Sequence, residues 1–182
     1  MRLRREDSFL LVVDVQEKLA PHVLHHSELI RRAEGLIRCA RLLEVPVLLS
    51  EHSPENIGST VPSLAGLASA DRILKKTHFA CTDQSALLDA FRSLKRKQVL
   101  VAGMEAHVCV MQTALGLLER GFQPFVVQDA VGSRREDDRA AALERMRAAG
   151  CAMATTEMAM FEWMENADVP QFRDVLNLVK SL

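Results

Sequence analysis

Short apolar runs, many of them β-branched, alternate along the chain with amphipathic stretches. This alternation is typical of βα units arranged around a mostly parallel sheet, so it predicts an α/β protein. The predicted strands cover residues 9–15, 45–50, 71–75, 98–102, 124–128 and 151–154. The predicted helices cover residues 27–44, 83–95, 108–120 and 136–149, and two more follow in the tail from residue 157.

Polar residues stand where several of these strands end. The first strand is apolar almost throughout, as is typical of a central strand covered on both faces, and it is closed by Asp14. Lys76 follows the third strand, and Cys109 lies in the first turn of the helix after the fourth. Ligands of open parallel sheets bind beyond the carboxyl ends of the strands, where the strand order reverses. We therefore expect these three side chains to converge on one site.

A carboxylate, an ammonium and a thiol suit nucleophilic catalysis. The thiolate is the reactive form of cysteine, and a helix N-terminus and a nearby ammonium both lower the thiol pKa from about 8.5. We expect both influences at Cys109, with Asp14 as the base that accepts the thiol proton. Free backbone N–H groups in the turn GMEAHVC, including that of Cys109, are candidates for stabilising an oxyanion.

Each of the three residues also has a purely structural interpretation. Cys109 fits a small buried hydrophobic residue, Asp14 fits a turn, and Lys76 beside Lys75 fits a solvent-exposed position. Their coincidence at strand ends favours a catalytic site. The alternative function is a non-catalytic binding or assembly protein that keeps the same residues without turnover. A nucleotide-binding domain is disfavoured because no G-x-G-x-x-G or P-loop follows the first strand.

Composition and charge narrow the class of protein. A chain of 182 residues, 48% hydrophobic and 26% charged, predicts one folded domain over residues 1–182. The 23 basic and 24 acidic residues give a formal charge of -1, which argues against a nucleic-acid partner. No apolar stretch approaches the roughly 20 residues that cross a bilayer, so we expect no membrane partner. Glu6 and Asp7 interrupt the start of the chain, which argues against a signal peptide.

The four cysteines are far apart and form no C-x-x-C pair. This spacing predicts neither a zinc site nor a disulfide framework, and it favours a reducing, cytoplasmic location.

Five segments of the chain resemble the isochorismatase-like hydrolases, a cysteine hydrolase superfamily that includes nicotinamidases and N-carbamoylsarcosine amidases. They are LLVVDVQEKLAP, SEHSPENIGSTVPSL, KKTHFAC, VLVAGMEAHVCVMQTALGLLERG and VVQDAVGSR. Together they spread over nearly the whole chain, which is most similar to the isochorismatase domain-containing proteins of that group.

The resemblance implies a Rossmann-like three-layer sandwich, with a six-stranded parallel sheet flanked by helices. It implies Asp14, Lys76 and Cys109 as a catalytic triad, with a covalent thioester on the cysteine. It also implies a cis peptide bond between Met104 and Glu105, and oxyanion donors in the amides of Glu105 and Cys109. True isochorismatases hydrolyse a vinyl ether and lack the nucleophilic cysteine. We therefore expect hydrolysis of a small amide or related acyl substrate, with no cofactor.

The segment after the second strand departs from the metal-binding nicotinamidases. These have an Asp-x-His pair and a further His, whereas this chain has SEHSPEN, where His52 lacks the aspartate, so we expect no metal. The loops expected to shape the substrate pocket contain Leu19, Ile57, Phe79 and His107. The apolar tail helices, together with the dimers and rings common in the family, predict a homo-oligomer.

Overall fold

A computed structural model describes residues 1–182, and its centre is a single six-stranded sheet. The strands are β1 (Ser8–Val13), β2 (Val47–His52), β3 (Ile73–Lys76), β4 (Gln98–Met104), β5 (Gln123–Gly132) and β6 (Ala152–Ala154). All neighbouring pairs are parallel, in the order β3-β2-β1-β4-β5-β6. From β1 the chain adds β2 and β3 on one side of the sheet, and it then adds β4, β5 and β6 on the other side. The strand order therefore reverses between β1 and β4, which is the switch point.

Helices cover both faces of this sheet. They are α1 (His26–Leu42), α2 (Pro54–Ile57), α3 (Pro62–Ala65), α4 (Ser85–Ser93), α5 (Met111–Glu119), α6 (Glu136–Ala148), α7 (Thr156–Met164) and α8 (Phe172–Lys180). One apolar core joins the sheet to α1, α3, α7 and α8, and a second joins it to α4, α5 and α6. The expected α/β sandwich with a six-stranded parallel sheet is confirmed. None of the helices combines the length and the apolar character that crossing a bilayer requires.

The apolar run of β1 is explained by these two cores. Leu10 and Val12 belong to the core on the α1 side, whereas Phe9, Leu11 and Val13 belong to the core on the α4 and α5 side. Alternate side chains of a strand point to opposite faces, so a strand covered on both faces is apolar at every position. This apolar run ends at Val13, and the buried carboxylate of Asp14 follows it at the carboxyl edge.

The fifth strand is longer than the sequence predicts, because it continues past residue 128 to Gly132. Its pairing with β4 shifts register between Val101 and Gly103 and then resumes. Asp129 interrupts the apolar pattern within this strand. Its carboxylate accepts hydrogen bonds from the backbone N–H of Thr156, at 2.8 Å, and from Arg32, at 2.6 Å. The extension carries the end of β5 to the edge where the candidate site lies.

Candidate active site

Asp14 and Lys76 form an ion pair at the carboxyl edge of the sheet. Asp14 follows β1 directly, Lys76 is the last residue of β3, and Lys76 Nζ lies 2.6 Å from Asp14 Oδ2. Both side chains are fully buried. Lys76 Nζ also donates to the backbone oxygens of His78, at 3.1 Å, and Phe79, at 3.0 Å. Because an ammonium has three N–H donors, every donor of Lys76 has a partner.

The charge of this lysine is maintained by its neighbour. Burial is the largest single influence and would lower the pKa of Lys76, but the carboxylate of Asp14, together with Cys81 and Cys109, outweighs burial, and the pKa is raised. Lys76 is therefore a fixed ammonium at neutral pH.

Cys109 is the third residue that the sequence predicts for this site. It lies in a π-helical turn, residues 106–110, that leads into α5, and it is 7% exposed. Burial is the largest influence on its thiol and raises its pKa, the charge of Asp14 raises it further, and the ammonium of Lys76 opposes them. The expectation of a lowered thiol pKa is wrong, since burial and the carboxylate outweigh the ammonium. Cys109 is thus a neutral thiol beside a carboxylate.

Two further side chains, Ser50 and Cys81, were not anticipated from the sequence. Ser50 Oγ donates to Asp14 Oδ1 at 2.7 Å, and the thiol of Cys81 donates to Ser50 Oγ at 3.4 Å. Thr113 Oγ1 accepts a hydrogen bond of 2.9 Å from the backbone N–H of Cys81. Burial, followed by the charge of Asp14, raises the pKa of Cys81 to about 11. Ser50 could have been found, because it closes the second predicted strand at the same edge of the sheet.

The turn before Cys109 has an unusual backbone. The peptide bond between Met104 and Glu105 is cis, at the position that the family resemblance implied. The N–H of Glu105 donates to no backbone or side-chain oxygen of the protein. Its carboxylate, by contrast, accepts a hydrogen bond of 2.8 Å from Arg134 Nε. The turn therefore presents a free amide close in sequence to the thiol.

A family model described as the isochorismatase domain matches residues 8–158 of the chain. The chain belongs to the isochorismatase family. The resemblance noted in the sequence is thereby confirmed, and membership places the chain among the cysteine hydrolases and supports a hydrolase.

Individual relatives agree with this family assignment. The chain is similar to isochorismatase domain-containing protein 2A of Mus musculus, with 38% identity over 180 residues, 98% of this chain and 85% of the mouse protein. It is also similar to a solved structure described as the MAR1 ribonuclease of Caenorhabditis elegans, with 36% identity, a TM-score of 0.93, and 99% and 93% of the two chains covered. The YcaC gene product of Escherichia coli, described as an octameric hydrolase of unknown specificity, shares the fold. Its identity is 24% and its TM-score 0.88, over 100% of this chain and 97% of that one.

Within this family framework, the four residues expected to shape a substrate pocket differ in exposure. Phe79 is 51% exposed and stacks on His52 with ring centroids 5.2 Å apart. His107 Nδ1 is hydrogen-bonded to Ser133 Oγ at 2.9 Å. Leu19 is half-buried against the core on the α1 side, and Ile57 is half-buried at the end of α2. Phe79 lies on the loop after Lys76, and His107 lies in the turn that contains Cys109. Leu19 and Ile57 lie in the segments that follow β1 and β2.

Two polar residues, Glu51 and Gln16, hold the loop that follows β2. Glu51 Oε1 accepts hydrogen bonds from the backbone N–H of Thr60, at 2.7 Å, and from its hydroxyl, at 2.8 Å. Gln16 donates to the backbone oxygens of His52 and Gly58, at 3.0 and 2.6 Å. The bonds of Gln16 hold the loop after β2 against the end of β1.

Proposed function

We propose that this protein is a cysteine hydrolase that cleaves a small amide, or a related C–N or acyl substrate, through a thioester on Cys109. The observation that carries the proposal is the buried group formed by Asp14, Lys76 and the Cys109 thiol. The negative charge of Asp14 raises the pKa of that thiol, and Lys76 Nζ lies 2.6 Å from Asp14 Oδ2. No cofactor enters the proposed chemistry.

Acylation begins with a neutral thiol. Sγ of Cys109 attacks the substrate carbonyl carbon while its proton passes to the carboxylate of Asp14. The amides of Glu105 and Cys109 donate to the developing oxyanion. When the tetrahedral intermediate collapses, the C–N bond breaks, Asp14 returns the proton to the leaving amine, and a thioester remains.

In deacylation, Asp14 again accepts a proton and then returns it. Water attacks the thioester carbonyl and gives a proton to Asp14, the C–S bond breaks, and Asp14 returns the proton to the sulfur. Lys76 stays charged throughout, because its pKa is raised. It orients Asp14 and stabilises the sulfur when the sulfur carries negative charge.

Mass spectrometry of the intact protein tests this mechanism. Incubation with iodoacetamide and with a panel of small amides is expected to add one adduct, which peptide mapping assigns to Cys109. Cys109→Ala should lose this adduct while its circular dichroism spectrum stays native. Cys151→Ala, which removes another buried thiol, is the control and should keep it. Equal labelling of wild type and Cys109→Ala would contradict the hypothesis and favour the non-catalytic binding or assembly protein.

Ribonuclease activity is a second candidate, favoured by the description of the Caenorhabditis elegans relative. The near balance of 23 basic and 24 acidic residues argues against it, because binding a phosphate backbone draws on clustered positive charge. Incubation of labelled single-stranded RNA with wild type and with Cys109→Ala tests for ribonuclease activity. Cleavage by wild type alone would support this candidate, and an intact RNA in both reactions would exclude it.

We also propose that the protein forms a homo-oligomer and is cytoplasmic. The oligomer is supported by exposed apolar side chains on α7, Met158 and Phe161, and by Leu24 before α1, which are 47%, 39% and 45% exposed. Light scattering on the purified protein measures the oligomeric state, and a monomeric mass would contradict it. The location is supported by the four cysteines, none of which forms a disulfide.

A further inference from the structure

We propose that Ser50 is a positioning residue, which holds Asp14 in place both before and after Asp14 takes the thiol proton. The thiol of Cys81 completes this arrangement, because it lets the hydroxyl of Ser50 turn between the two states. The inference rests on the proposed function, since it concerns the proton that passes from Cys109 through Asp14 to the leaving amine. It assigns a role to two buried side chains that do not themselves react.

Ser50 is bonded to Asp14 through its backbone and through its side chain. Its backbone oxygen accepts a hydrogen bond of 3.1 Å from the N–H of Asp14, and its hydroxyl donates to Asp14 Oδ1 at 2.7 Å. The other carboxylate oxygen, Oδ2, accepts from Lys76 Nζ at 2.6 Å. Each oxygen therefore has a donor from a different strand, β2 for Oδ1 and β3 for Oδ2, and together they fix the plane of the carboxylate.

These two donors differ in what they do once Asp14 holds a proton. An ammonium only donates hydrogen bonds, whereas a hydroxyl both donates and accepts. When the thiol proton lies on Oδ1, the hydroxyl of Ser50 accepts a hydrogen bond from it, and the contact between Oγ and Oδ1 persists with its direction reversed. Lys76 suits an oxygen that stays unprotonated. Ser50 suits the oxygen that gains and loses a proton in each turnover.

Reversal of this bond leaves the hydrogen of Ser50 without its acceptor, and Cys81 supplies another. Sγ of Cys81 lies 3.4 Å from Ser50 Oγ, and a thiol is both a weak donor and a weak acceptor. The thiol donates to Oγ while Asp14 is charged, and its sulfur accepts from Oγ when Asp14 is protonated. The backbone N–H of Cys81 donates to Thr113 Oγ1 at 2.9 Å, which fixes Cys81 against α5.

Burial makes these internal partners necessary. Asp14, Ser50, Lys76 and Cys81 are each at most 2% exposed. A buried polar group without a hydrogen-bond partner costs free energy, so the protein itself has to supply partners in both protonation states of Asp14. Ser50 and Cys81 do so by turning two hydrogens, and no heavy atom has to move.

A simpler role for Ser50 is structural, in which its hydroxyl only satisfies a buried carboxylate and so stabilises the fold. The two roles make different predictions. A structural role alters the reaction with every acyl donor alike. The positioning role has its largest effect where Asp14 must return the proton to the leaving group.

Two acetyl donors separate these roles. The ester para-nitrophenyl acetate releases nitrophenolate, which leaves without a proton, and the amide para-nitroacetanilide releases an amine, which needs one. The second-order rate constant of acylation by each donor is measured from the released chromophore for wild type, Ser50→Ala, Cys81→Ala, Cys81→Ser and Ser8→Ala. Mass spectrometry of the peptides checks that the acetyl group is on Cys109.

Ser50→Ala should slow the anilide about tenfold more than the ester, as the loss of a hydrogen bond to a charged group predicts. Cys81→Ala should lower the ratio of the two rates about threefold, since a thiol bond is weaker. Cys81→Ser keeps a group that donates and accepts, so it should restore the ratio. Ser8→Ala is the matched control and should leave the ratio unchanged, because Ser8 is a buried serine of the sheet whose hydroxyl is bonded to Arg4 and Trp163.

Equal slowing of both donors in Ser50→Ala would overturn the proposal and leave Ser50 with a structural role. Reaction of wild type with the ester alone would also overturn it, because no proton would then reach a leaving amine. If circular dichroism shows that Ser50→Ala does not fold, the Cys81 variants decide, and a wild-type ratio in Cys81→Ala overturns the proposal. The proposed function fails as well only if neither donor acylates Cys109 and iodoacetamide does not label it.

Discussion

Asp14 is the residue through which the groups of the candidate site are connected. One carboxylate oxygen accepts from Ser50 and the other from Lys76, and the Cys109 thiol interacts with the same side chain. Its φ is +51°, in the left-handed region that aspartate adopts more readily than most residues. The backbone bend that ends β1 is therefore what directs this carboxylate into the site.

Opposite changes of charge around Cys109 should move its reactivity in opposite directions. Asp14→Asn removes a charge that raises the thiol pKa, so the pH profile of alkylation by iodoacetamide should shift to lower pH while hydrolysis is lost. Lys76→Met removes a charge that lowers the thiol pKa, so the profile should shift to higher pH. Each variant leaves a buried group unpaired, so each should also lose about 3–5 kcal/mol of stability.

The control for these variants is Lys75→Met, which makes the same chemical change at the neighbouring exposed lysine. It should leave the alkylation profile where it is in wild type. If the alkylation profile shifted in the same direction in Asp14→Asn and Lys76→Met, the opposite effects of the two charges on the Cys109 pKa would be contradicted.

At the scale of the elements, the site depends on how closely β1 and β4 approach each other at the switch point. Gly103 pairs with Val13 in the parallel register, and its φ is +119°. A Cβ at Gly103 would lie 2.0 Å from the backbone oxygen of Val13, which is far inside contact distance. Glycine is required there, and the contact sets the spacing between Asp14 and the turn before Cys109.

Two alanine substitutions separate this close approach from simple backbone strain. Gly150 also has a positive φ, +102°, but a Cβ there would meet no atom within 4 Å. Gly150→Ala should therefore cost about 1–2 kcal/mol in urea unfolding, whereas Gly103→Ala should cost more than about 4 kcal/mol or prevent folding. Equal losses would mean that strain alone, and not the approach of the two strands, accounts for the glycine.

At the scale of the whole molecule, all four cysteines are buried thiols with raised pKa values. Burial raises the pKa of Cys39 to about 12 and that of Cys151 to about 11. The thiols of Cys81 and Cys109 are raised by burial and by Asp14. In the unfolded chain a thiol titrates near 8.5, so above that pH the native state binds more protons than the unfolded state.

Stability should consequently fall as the pH rises above about 8.5, by up to about 1.4 kcal/mol per pH unit for each thiol. The raised pKa of Lys76 acts in the same direction at still higher pH, because its contribution is lost only as the lysine deprotonates. Urea unfolding under reducing conditions from pH 7 to pH 10 measures this slope. Cys39→Ala should flatten it, and a slope unchanged by that substitution would contradict the assignment.

The predictability of the fold and of the site differs along the chain. Helix α6 begins at the predicted residue, because the turn VGSR before it and the acidic residues of its first turn are local signals, and Asp14, Lys76 and Cys109 were predicted from the rule for strand ends. The extension of β5 to Gly132 was missed, because Asp129 looks like a strand end until its partners Arg32 and Thr156 are seen.

What the sequence by itself determined is the order of strands and helices, the apolar character of the central strand, and the three polar residues at strand ends. These follow from periodicity and from the types of neighbouring residues, which are local properties. Only the tertiary structure decided that Ser50 contacts Asp14, that Arg134 contacts Glu105, and that burial raises the Cys109 pKa. Each of these depends on distances and solvent exclusion between segments far apart in the chain, and those quantities exist only once the sheet has assembled.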